Sequence, residues 1–130
     1  MKFRVFDKNL KEKMIYLDQH DELKLVFYSD GTWAVLDENG TIITSNGGHG
    51  GKLMMGIDYK DKNSKEIYRG DIIRDKKDKW IIQYNDVEAC YDVVLIGEIQ
   101  CWKHLSDLLE ENRGKIEVIG NIYENPELLR

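Results

Sequence analysis

The sequence predicts a mainly β fold: an antiparallel meander and a small barrel-like sheet, SH3-like or similar, with one short helix near residues 103–111. Three observations carry this expectation. Asp30-Gly31 and Asn39-Gly40 each sit between β-rich runs, and such dipeptides accept the positive φ of tight hairpin turns. Several short runs alternate apolar and polar residues. Only one stretch, Trp102, Leu105, Leu108 and Leu109, places apolar residues at helical spacing.

The elements follow in order. Phe3-Arg4-Val5-Phe6 alternates, with Phe3 and Val5 on one side and Arg4 on the other, and Met14 to Leu17 forms the return strand. Leu23, Leu25 and Phe27 share one face of the next strand, opposite Lys24. With Thr32–Leu36 and Thr41–Thr44 it makes a three-stranded meander over 22–44. Asp71–Arg74 and Trp80–Tyr84 are strands joined by the charged turn 75–79. A longer β-rich run covers Val87 to Ile96. Asn112-Arg113-Gly114 stops the helix, and Ile116–Ile122 is the last strand. Asn125-Pro126 suits a helix cap followed by proline, with Leu128 and Leu129 turned back to the core.

Length and composition bound the function. The 130 residues suit a single domain, 1–130, able to bury a core without staples. No run of 18 apolar residues exists, so no membrane-spanning helix is expected. Met1-Lys2-Phe3-Arg4 leads into no apolar run, so no signal peptide is expected and the compartment is taken as the reducing cytoplasm. Cys90 and Cys101 are accordingly expected as free, buried thiols.

Net charge is −5, unevenly spread. Residues 80–130 hold 10 acidic side chains against 4 basic, whereas 58–79 hold 8 basic against 6 acidic. Arg74, Lys76, Lys77 and Lys79 cluster there beside Trp80, with Tyr84 and Tyr59 as further aromatics. Basic groups beside exposed aromatics are what a single nucleic-acid strand binds. Asp75 and Asp78 interrupt the cluster, and the overall charge opposes that reading.

Catalytic and cofactor motifs fail on inspection. Gly47-Gly48-His49-Gly50-Gly51-Lys52 lacks both the first glycine and the Ser or Thr of a phosphate-binding loop, and reads as a surface loop. Asp61 to Ile72 misses three positions of a calcium loop and reads as a polar turn. No metal-ligand spacing surrounds the cysteines, so no metal site and no cofactor are expected. Cys90 or Cys101 with His104 could form a nucleophile pair, but nothing in the sequence brings them together, and His49 has no local partner. No catalytic residue is therefore assigned.

Three segments carry a resemblance. They are Lys2 to Asp7 with Lys13-Met14-Ile15-Tyr16; Leu53-Met54 with Lys60 to Ile73; and Glu117 to Leu129, which includes Val118-Ile119-Gly120-Asn121-Ile122-Tyr123-Glu124-Asn125-Pro126. In order and spacing the chain resembles the YopX family of phage and prophage proteins from residue 2 to 129. Phe6 stands where that family often has Trp, and Ser64 and Asp58 stand where it often has Gly. The resemblance implies a mainly β protein encoded by mobile elements and acting in the bacterial cytoplasm. It implies no activity, since the family's function is unknown. The expected role is a non-catalytic module that binds a protein partner or its own copies, with a small nucleic-acid-binding barrel as the alternative.

Overall fold

A computed structural model describes residues 1–97 and 100–130. The chain is mainly antiparallel β, with one half-barrel sheet and a single α-helix, as the sequence implies. It divides into two compact units, Met1–Met55 and Gly56–Arg130. Among the described residues no helix is long and apolar enough to cross a membrane.

In the first unit, β1 (Phe3–Phe6) lies between β2 (Met14–Tyr16) and the start of β6 (Lys52–Lys60), with Val5 opposite both Ile15 and Leu53. A short 3-10 turn at Leu17–Gln19 leads to the meander of β3 (Lys24–Phe27), β4 (Trp33–Leu36) and β5 (Ile42–Ser45). Val5, Trp33 and Val35 form the core, with Leu17, Leu23, Leu25 and Leu53 packed on it. One expectation fails here. Phe27 is largely exposed at the sheet edge, where its ring meets Phe3 at 6.0 Å. Arg4 is buried, because both faces of β1 are covered; its guanidinium reaches Met54 Sδ at 3.5 Å and lies over the Tyr16 ring.

The hairpin turns are real, but their geometry differs from the two-residue form. Only Gly31 and Gly40 have positive φ, not Asp30 or Asn39. Each loop has three residues, closed by Tyr28 N–H to Thr32 O or Asp37 N–H to Thr41 O, with glycine in the left-handed third position. The Asp37 carboxylate accepts from the Asn39 and Thr41 amides. Asp61 repeats this device: its carboxylate accepts from Asn63 and Lys65, and Ser64 takes the left-handed position at φ 65°. Asp58 likewise has φ 58°. The two places where glycine is replaced thus do demand a glycine-like backbone, which a side chain adopts at a modest cost.

In the second unit, five antiparallel strands run in the order β11 (Trp102–His104), β10 (Cys90–Leu95), β9 (Lys79–Asn85), β8 (Asp71–Arg74) and β12 (Glu117–Asn121). The end of β6 pairs with β7 (Glu66–Tyr68). α1 (Leu105–Glu111) packs Leu105 and Leu108 onto Ile73, Trp80, Ile82 and Val93. A final 3-10 turn, Pro126–Leu129, follows Asn125 as expected, although Leu129 stays exposed. The sequence missed β6 altogether. It also began the helix two residues early: Trp102 to His104 is an edge strand, and Trp102 leaves the apolar stripe for solvent. Val87 belongs to the exposed β9–β10 turn rather than to a strand.

Candidate functional site on the sheet face away from the core

Side chains alternate across a strand, so β9, β10 and β11 present two different faces. One face carries Trp80, Ile82 and Val93 into the core. On the other, the pairings Asp92↔His104, Val94↔Trp102, Asp92↔Gln83 and Cys90↔Asn85 set a second group side by side. This face holds an open groove of about 770 Å³, lined by Gln83, Asn85, Asp92, Val94, Cys101 and Trp102. Trp102 is 54% exposed, while Trp33 and Trp80 are buried, so it is the only tryptophan available at the surface.

On the same sheet face, Cys90 and His104 do come together. Cys90 Sγ lies 3.5 Å from His104 Nδ1, and the same nitrogen lies 3.0 Å from Asp92 Oδ1. His104 Nε2 faces Glu88 at 3.4 Å, and Asn85 Nδ2 donates to Asp92 Oδ2 at 2.9 Å. The arrangement does not activate the sulfur. Loss of solvent around Cys90, followed by the negative charges of Asp92 and Glu88, pushes the thiol above its ordinary range. A thiolate nucleophile needs the opposite environment. In the presence of a chelator at neutral pH, exposed Cys101 should therefore be alkylated about tenfold faster than Cys90, read by mass spectrometry of the two peptides. A faster Cys90 would show an activated thiol.

The remaining sequence candidates are placed elsewhere. His49 lies in the first unit, where its ring hydrogen-bonds with Ser45 Oγ. Both cysteines are free, but neither is fully buried: Cys90 is half-buried, and Cys101 is exposed because it precedes an edge strand. In the glycine-rich loop, a Cβ on Gly51 would come within 2.6 Å of Thr44 Oγ1 and 2.9 Å of the Trp33 ring, so close packing accounts for that glycine. Trp80 is 3% exposed and offers no face to a base; its indole N–H donates to Asp75 and Lys103 lies over its ring. Lys79 donates to the Leu128 carbonyl, while Lys76 and Lys77 are exposed in the turn. Arg74 joins Lys62, Lys76 and Lys115 around a shallow hollow. Glu117 stands among them, bonded to Arg74, and its carboxylate takes the position that a phosphate would need. The Arg74 hydrogen bond holds that carboxyl below its usual range. Tyr59 and Tyr84 are exposed, but Tyr84 packs edge-on against Tyr91 with Arg69 over its ring.

The YopX protein family model matches residues 2–130. The chain belongs to the YopX family. This YopX-family chain is also similar to two solved structures. One is protein yopX from Bacillus subtilis, at 25% identity and a TM-score of 0.66, covering 100% of this chain and 96% of that one. The other is protein EF1440 from Enterococcus faecalis, at 25% identity and a TM-score of 0.54, covering 99% and 97%. No curated protein matches. The family-like segments of this YopX-family chain do structural work. Asp61 organises its turn and holds β12 through the Val118 amide; Asn121 accepts from the Tyr123 and Glu124 amides. The Cys90–Asp92–His104 face lies outside those segments, and only the register of β10 against β11 reveals it.

Proposed function

We propose that this YopX-family protein is a non-catalytic interaction module, encoded by a phage or prophage and working in the bacterial cytoplasm. It docks an extended segment of a protein partner, or of a second copy of itself, along β11. The observation that carries this reading is Trp102: a half-exposed indole on an edge strand, at the lip of an open groove. Edge strands offer unpaired backbone groups to an added strand, and tryptophan is the side chain most enriched among residues that dominate interface energy. Asp86 and Asp92 in the groove favour a segment bearing basic or amide side chains. The surroundings of Cys90, which raise rather than lower its thiol pKa, support a role without nucleophilic catalysis. Nucleic acid, the alternative, is disfavoured by the burial of Trp80 and by Glu117 within the basic hollow.

Replacing exposed Trp102 with Glu leaves the core untouched, so the thermal midpoint should stay within about 2 °C. Capture of the partner from bacteria carrying the phage, or self-association in sedimentation, should fall about 30-fold, as loss of a dominant anchor residue implies. Equal recovery by both proteins refutes the reading.

A further inference from the structure

We infer that Cys90, Asp92 and His104 form a binding site for one divalent transition-metal ion of the zinc class. Three distances define it. Cys90 Sγ is 3.5 Å from His104 Nδ1, Nδ1 is 3.0 Å from Asp92 Oδ1, and that oxygen is 3.7 Å from Sγ. A tetrahedral ion with metal–sulfur bonds of about 2.3 Å and metal–nitrogen and metal–oxygen bonds of about 2.0–2.1 Å separates its ligand atoms by about 3.3–3.6 Å. The triangle is thus one face of such a tetrahedron, needing only a few tenths of an ångström of adjustment.

The surroundings supply what metal ligands ordinarily require. A coordinating histidine donates its other ring N–H to a carboxylate or carbonyl, and a coordinating carboxylate is itself held. Here Nε2 faces Glu88 at 3.4 Å and Asp92 Oδ2 accepts from Asn85 at 2.9 Å. These contacts choose the coordinating nitrogen as Nδ1. Glu88 offers a carboxylate near Cys90 and His104, but it stands on the Nε2 side and acts as the outer partner. The donors are placed by strand geometry rather than by a loose loop. Cys90 and Asp92 share a face of β10, and Asp92 pairs directly with His104 of β11.

On coordination the Cys90 thiol releases its proton to solvent and the imidazole binds as the neutral ring. Thiolate, imidazole and carboxylate together suit zinc or cobalt rather than magnesium or calcium. Water or a partner's side chain completes the fourth position.

The test uses the full chain under reducing conditions, with Zn²⁺ competed against a chromogenic chelator and Co²⁺ as the spectroscopic probe. One ion per chain should bind, with a thiolate-to-cobalt charge-transfer band. Cys101→Ser should leave both unchanged. Cys90→Ser should abolish the band and weaken zinc binding about 100-fold or more, and Glu88→Gln should weaken it about tenfold with the band intact. Wild-type protein showing no cobalt–thiolate band, or a band lost in Cys101→Ser, overturns the inference without depending on the folding of any Cys90 variant.

Discussion

Gly120→Ala should destabilise the protein by about 2–4 kcal/mol, the sum of overpacking and one weakened hydrogen bond. A Cβ at Gly120 would stand 2.5 Å from Asn125 Oδ1, 2.8 Å from Asn125 Cγ and 2.9 Å from Leu128 Cδ1. None of these atoms is the free end of a flexible surface chain. Asn125 Oδ1 accepts from the Asn121 amide, and Leu128 is held in the 3-10 turn through its amide bond to the Asn125 carbonyl. The added methyl must therefore push the C-terminal turn away from β12. Urea denaturation checks this, with Gly48→Ala as the comparison, since a Cβ there meets nothing within 4 Å. Equal midpoints for the two variants would show that the turn yields freely.

Asp61→Ala should cost a similar amount, about 2–4 kcal/mol, through stranded backbone donors. The buried carboxylate accepts from Asn63 and Lys65 within its own turn and from Val118 of β12, at 2.8–2.9 Å. Alanine leaves the Val118 amide buried without its acceptor. The same geometry sets an acid dependence. Burial raises the Asp61 pKa, but the three backbone donors outweigh it and hold the group below its ordinary value. The folded pKa is therefore the lower one. Its stabilisation is present above the unfolded carboxylate range and is lost as pH falls from that range through the folded value. Asp61→Asn should flatten that part of the stability–pH curve while retaining one acceptor. An unchanged curve would assign acid sensitivity to other groups.

These two residues also show how far the sequence could be read. The Asp-containing turns announce themselves because their chemistry is local: a carboxylate reaches amides two and four residues on, and glycine takes the left-handed place. The family-like segments are dense in such local devices, so turns, the terminal cap and the β class were legible. Strand β6 was not, since Leu53-Met54-Met55-Gly56-Ile57 has no clean alternation and its register comes from β1 and β7. His104 was drawn into the helix because Trp102 continues the helical spacing by coincidence; pairing with Asp92 made it strand instead. The candidate site depended on that pairing. Cys90 and Asp92 were recognisable as neighbours on one strand face, but their meeting with His104 joins parts of the chain across 12 to 14 residues. Glu88, in the turn before β10, meets His104 only through that same pairing. The basic cluster failed in the opposite sense: its spacing is local, but Glu117, from the far end of the unit, neutralises it.

Site-specific photo-crosslinking at position 102, in bacteria expressing the protein, tests the docking account most directly. A crosslinking residue at 102 should yield a discrete adduct, to another protein or to a second copy, that is absent when the same residue is placed at exposed Lys24. No adduct at 102, or the same adducts from both positions, would contradict a partner bound along β11.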